Sequence, residues 1–171
     1  DGINWIQHSF ECVPQVPPYL CALAVGHLSY LEATVNGIHG STIPVRMYTT
    51  VGKKHLGQFA LDAAVFSLSE FERFFGCAYP LPKLDMIAVP EFPIGGMENW
   101  GCICLVESTL LDTSTASLQS LKQISNLVCH EVSHNWFGNL VGIDWWEGLW
   151  LKEGFASWCG YYATDLWHPE W

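Results

Sequence analysis

Cations are scarce in this sequence: 7 Lys and Arg stand against 17 Asp and Glu in 171 residues, a formal net charge of −10. A phosphate backbone needs a basic face, and so few cations argue against nucleic-acid binding. Long apolar runs are also missing. The longest, Leu20–Val25, stops at Gly26, far short of the ~20 residues a membrane span requires. The first residues, Asp1-Gly2-Ile3, hold neither a basic region nor a hydrophobic segment, so no secretory signal is read there. The lack of an initiator Met points to a chain that starts inside a longer protein. No CxxC pair and no Asn-x-Ser/Thr sequon occur, and the seven cysteines are scattered and odd in number. That pattern argues against a disulfide scaffold and for free thiols, with a cytoplasmic address. Charged residues make up only 14% of the chain and apolar ones 50%, which excludes disorder.

What is present reads as strands followed by helices. Tyr19–Val25, Leu28–Val35 and Ile43–Tyr48 are rich in β-formers, with Asn36-Gly37 and Gly40-Ser41 as turns. From His55 to Phe75, apolar residues recur at the spacing of an amphipathic helix that Gly76 ends. Leu84–Val89 and Trp100–Val106 read as strands around a Gly-rich turn at 92–96. Leu118, Leu121, Ile124, Leu127, Val128, Val132 and Trp136 then mark a helix closed by Gly138-Asn139. A last helix runs from about Glu147 to Leu166, where His168-Pro169 stops it. The expected class is α+β. Eight of the nine tryptophans lie from Trp100 onward. Those at 136, 145, 146, 150 and 158 are read as core packing around the last two helices.

His130-Glu131-Val132-Ser133-His134 carries the chemistry. On a helix, residues i and i+4 share one face, so both imidazoles reach one metal from a rigid frame. Glu131, next to the first histidine, can meet a metal-bound water without ligating the metal. Two histidines leave a zinc site one protein ligand short, and a carboxylate is the usual third. Glu153 supplies one from an apolar stretch, Leu149-Trp150-Leu151-Lys152-Glu153-Gly154-Phe155, where a lone carboxylate is costly. The alternative is a pair of core histidines. Asp144, Glu147 and Asp165 are candidates for orienting a ligating histidine. Cys102 and Cys104, at i and i+2, read as small buried hydrophobes.

These residues resemble the zinc signature of the gluzincin aminopeptidases of family M1: His130-Glu131-x-x-His134, eighteen residues, then Glu153. Gly95-Gly96-Met97-Glu98-Asn99 is similar to the exopeptidase motif usually written GAMEN, in a Gly-Gly form seen in the leukotriene A4 hydrolase branch. Trp145-Trp146-Glu147-Gly148 and Val45–Thr50 look closer to puromycin-sensitive and fungal cytosolic aminopeptidases.

The resemblance implies a thermolysin-like zinc metallopeptidase domain that removes N-terminal residues from peptides. Its Zn²⁺ would be held by His130, His134 and Glu153, with Glu131 as general base toward the zinc-activated water. Glu98 would receive the substrate's α-ammonium, flanked by Gly95, Gly96, Met97 and Asn99. Residues 1–40 would be the tail of an N-terminal β-domain and 41–171 the N-terminal part of the catalytic domain. The further N- and C-terminal domains would lie outside this chain. So would the Tyr that such enzymes use to stabilise the oxyanion, which implies zinc binding with weak or no activity for the chain alone. Lys152 stands where an Asn is common in the family, Asn135 where Gln is usual, Val106 where an Arg is frequent, and Gly160 where many animal members place a Glu. Two other functions are compatible with the same scaffold: a catalytically silent zinc-binding module that holds peptides, and an epoxide hydrolase of the leukotriene A4 type.

Overall fold

The structure is a computed structural model that describes residues 4–10 and 12–171. One five-stranded sheet and three α-helices make up the regular structure of those residues. Strand β1 (Leu28–Asn36) pairs antiparallel with β2 (Thr42–Thr50) along its whole length. Their turn is closed by Gly37 N–H donating to the Ser41 carbonyl at 2.8 Å. Helix α1 (Gln58–Phe75) then crosses over to β3 (Leu84–Val89), which lies parallel to β2. Strand β5 (Cys102–Val106) is parallel to β3, and the two-residue β4 (Gly96–Met97) pairs antiparallel with β5 at the sheet edge.

Burial along β2 alternates: Ile43, Val45, Met47 and Thr49 are buried while Pro44, Arg46, Tyr48 and Thr50 are not. That period of two marks a sheet packed on one face. Leu84 and Met86 of β3 and Ile103 and Leu105 of β5 join the same core, as do Leu61, Leu68 and Phe71 of α1. The opposite face is mixed, with Ile87, Cys104 and Val106 beside a cluster of charged residues. Arg46 sits in register between Glu32 and Asp85 on the neighbouring strands, with its Nη1 3.5 Å from Asp85 Oδ1. Helix α1 stops at Gly76, whose φ of 60° is a left-handed conformation open to glycine.

Several sequence expectations are corrected. Tyr19–Val25 is not a strand: a 3-10 turn covers Pro18–Leu20, only Leu20 of the run is buried, and Leu23 and Val25 face solvent. Among the described residues no strand pairs with that segment. The strand expected from Trp100 starts at Cys102, after Gly101 takes a φ of 74°. Among the described residues no helix is long and apolar enough to cross a membrane.

Candidate metal centre

Helix α2 (Leu118–Ser133) starts at Ser117, whose hydroxyl accepts the Ser120 N–H at 3.1 Å. It ends sooner than the apolar spacing predicts. Beyond Ser133 the chain tightens, with Asn135 and Trp136 N–H bonding three residues back. It then widens, as Asn139, Leu140 and Val141 bond five residues back, to His134, Asn135 and Trp136. Trp136 stays buried through this turn and donates its indole N–H to the Cys77 carbonyl at 2.9 Å. The apolar pattern therefore runs on after the helix has stopped. His130 and Glu131 lie in the last helical turn, and His134 caps it.

Helix α3 (Leu149–Trp167) packs against α2 through small residues: Ala156, Cys159, Gly160 and Ala163 are buried. A Cβ on Gly160 would stand 2.8 Å from the Asn126 carbonyl oxygen and 3.3 Å from His130 Cβ. The close approach needs that glycine, and it brings Glu153 up to the histidines. The large residues point outward instead. Of the five tryptophans read as core, only Trp136 is; Trp145, Trp146, Trp150 and Trp158 are each more than half exposed. Trp150 and Trp158 line an open apolar groove of about 670 Å³ with Phe74, Phe137 and Phe155.

His130 Nε2 and His134 Nε2 are 3.0 Å apart, and Glu153 Oε2 lies 3.3 and 3.5 Å from them. Zinc–ligand bonds of ~2.0–2.1 Å at tetrahedral angles give ligand separations of about 3.3 Å, so these three atoms fit one small cation. The Nδ1 atom of His134 is 2.7 Å from the Phe137 carbonyl. A carbonyl only accepts, so Nδ1 carries the hydrogen and Nε2 presents its lone pair to the centre. That backbone partner takes the role for which Asp144, Glu147 and Asp165 were candidates. The adjoining His130 and His134 rings hold the Glu153 carboxyl well below the usual carboxylate range. His134 is shifted upward: burial works against its charged form, but the Glu153, Glu98 and Glu131 carboxylates and the Phe137 carbonyl together outweigh it.

Glu131 is buried, and its Oε2 has no hydrogen-bond partner among the described residues. Burial pushes its carboxyl up to about 8, while the neighbouring His134 acts in the opposite direction. Its side chain lies against Gly96 of β4: a Cβ there would stand 2.6 Å from Glu131 Cδ. Glu98 is buried too, with its backbone carbonyl accepting from Asn139 Nδ2 at 2.9 Å. Its carboxylate is paired with the Lys152 ammonium, and both side chains are about 5% exposed. Burial lowers the Lys152 pKa, but the bonds and charges of Glu98 and Glu153 together outweigh it, so the net shift is upward.

One cleft of about 410 Å³ joins Gly96, Met97, Glu98, His130, Glu131, His134 and Glu153. Two other nominated residues lie off its wall. Gly95 accepts the Val106 N–H at 2.8 Å, and Asn99 donates its side-chain amide to the Tyr19 carbonyl at 3.3 Å. Sequence reasoning missed Tyr19, Ile94, Trp146, Leu149 and Lys152, which line the same cleft. For Lys152 a signal existed, since it precedes Glu153 within the motif. Tyr19 arrives from a segment with no periodic pattern. Cys102 and Cys104 are half-buried on β5, outside that wall.

His130, His134 and Glu153 together could hold one metal ion, with the buried Glu98 and Glu131 beside them. Residues 59–171 match the Peptidase family M1 domain, and the chain belongs to that family. It is 45% identical over 164 residues to the alanine/arginine aminopeptidase of Saccharomyces cerevisiae, which covers 95% of this chain and 19% of that protein. It is 47% identical over 166 residues to aminopeptidase M1-B of Oryza sativa subsp. japonica, covering 95% of this chain and 18% of the relative. Aminopeptidase M1 of Arabidopsis thaliana is 46% identical over 165 residues, again covering 95% and 18%. The chain thus spans less than a fifth of the length of these relatives.

Proposed function

We propose that the chain is the zinc-binding segment of an aminopeptidase that hydrolyses the N-terminal peptide bond of peptides. The observation that carries this reading is the convergence of His130 Nε2, His134 Nε2 and Glu153 Oε2 within 3.5 Å. When bound, Zn²⁺ supplies Lewis acidity, polarising the scissile carbonyl and bringing the pKa of water toward ~7. Glu131 takes the proton of the attacking water at its carboxylate and returns it to the leaving amine. Its buried Oε2 without a partner supports that role, because such an atom is costly in a merely structural carboxylate. The positive charge of a metal at this centre opposes the upward shift of Glu131 and favours the ionised base.

Glu98 is the carboxylate for the substrate's α-ammonium, and the free edge of β4 at Gly96 and Met97 pairs with the substrate main chain. A thermolysin-like fold fits the mixed sheet with a short antiparallel edge strand beside the two helices. The continuous β1–β2 hairpin favours placing the end of the preceding β-domain before Leu28, within the first 40 residues. The apolar groove beside Trp150 and Trp158 is a seat for the further domains of a longer polypeptide. Neither Tyr161, which is exposed, nor Tyr162, whose hydroxyl donates to Glu70 at 3.3 Å, faces the centre. An oxyanion donor is worth ~10²–10³ in rate, so a chain short of one would bind zinc with weak turnover. The cytoplasmic address is supported by the seven free cysteines.

Hydrolysis of an aminoacyl-arylamide by a polypeptide extended to the relatives' length tests the reading. Glu131→Gln keeps the metal and loses turnover; retained turnover contradicts the base assignment.

A further inference from the structure

The carboxylate assigned to the substrate's amine already holds one. Lys152 Nζ is bonded to Glu98 Oε1, lies 3.2 Å from Glu153 Oε1, and sits 5.4 Å from the centre of the Tyr19 ring. Two carboxylates and an aromatic face are the groups that bind an ammonium. All three line the same cleft as the histidines. Neither Glu98 nor Lys152 reaches solvent appreciably, so the pair is desolvated, and breaking it strands a charge.

We propose that Lys152 is an internal competitor for the amine subsite, its ammonium holding Glu98 in the place a substrate's α-ammonium would take. A free N-terminus must displace Lys152 or share Glu98 with it, and a carboxylate that is already neutralised attracts a second cation weakly. The site therefore discriminates little between a peptide with a free α-ammonium and one whose N-terminus is acylated and uncharged. Lys152 sets this specificity without touching the reacting bond. The inference rests on the reading of Glu98 as the amine-recognition residue.

Equilibrium binding of leucinamide and N-acetylleucinamide to the zinc-loaded chain, by calorimetry, tests it. The wild-type chain is expected to bind the two within about threefold of each other. Lys152→Asn is expected to bind leucinamide about tenfold tighter than wild type, leave N-acetylleucinamide unchanged, and lose that gain when Glu98→Gln is added. Lys152→Met, checked by its thermal melt, serves if the Asn variant does not fold, and the wild-type comparison needs no variant. A wild-type preference for leucinamide of about tenfold or more that Glu98→Gln removes overturns the inference and leaves the reading of Glu98 standing. Binding of leucinamide that is indifferent to Glu98 in both backgrounds overturns the two together.

Discussion

The Nδ1–H of His134 donates to the carbonyl oxygen of Phe137 at 2.7 Å. The acceptor belongs to the turn that ends helix α2, so the same backbone that stops the helix fixes the tautomer of the second histidine. The turn depends on Gly138, at a φ of 131°. A Cβ there would stand 3.0 Å from His134 Nδ1 and 3.0 Å from Lys152 Cδ. Gly138→Ala is therefore expected to lower zinc affinity ~10–100-fold by displacing the His134 ring and crowding Lys152 beside Glu153. Competition against a chromophoric chelator measures this, and an unchanged affinity would show that the turn does not orient the ligand.

Gly96 and Glu131 form a second dependence. The space beside the Gly96 Cα is filled by the Glu131 side chain, and β4 cannot retreat because it is paired with β5. Gly96→Val is expected to swing the Glu131 carboxylate away while leaving His130, His134 and Glu153 in place. In the extended polypeptide, turnover falls about 100-fold or more with zinc content unchanged. Loss of zinc along with activity would mean that the edge strand supports the ligands rather than the base.

A third prediction concerns stability. Glu72 of α1 is buried and accepts the Tyr79 N–H at 2.7 Å and the Ile38 N–H at 3.1 Å. One carboxylate thus ties the helix to the β1–β2 turn and to the loop entering β3. Glu72→Ala leaves two backbone donors without that acceptor, and is expected to cost about 2–4 kcal/mol in urea unfolding. Glu72→Gln, which keeps an acceptor, is expected to cost less. Equal losses for the two would indicate that side-chain volume, not hydrogen bonding, is what matters.

Much of this arrangement is legible in the sequence, because the elements that hold the site obey local rules. Helix α1 carries its apolar stripe and its Gly76 stop, β2 alternates, and the His-Glu-x-x-His spacing places two imidazoles on one face. The misreadings arise where a local pattern has two physical causes. Trp136 continues the helical spacing of α2 because it is anchored to the Cys77 carbonyl, not because the helix continues. On α3, large apolar residues surround the helix, so periodicity selects no face. Contact with α2 falls to Ala156, Cys159, Gly160 and Ala163, and the tryptophans are left outside. The pairing of Lys152 with Glu98 joins residues 54 positions apart and requires a tertiary structure to be seen.

Zinc content after exhaustive dialysis, compared between the wild-type chain and Glu153→Ala, tests the central claim most directly. One zinc per wild-type chain and near-complete loss in the variant is the predicted result, because two histidines alone leave the site a ligand short. A wild-type chain that retains no zinc, or a variant that retains as much as wild type, would contradict the metal centre on which the proposed chemistry stands.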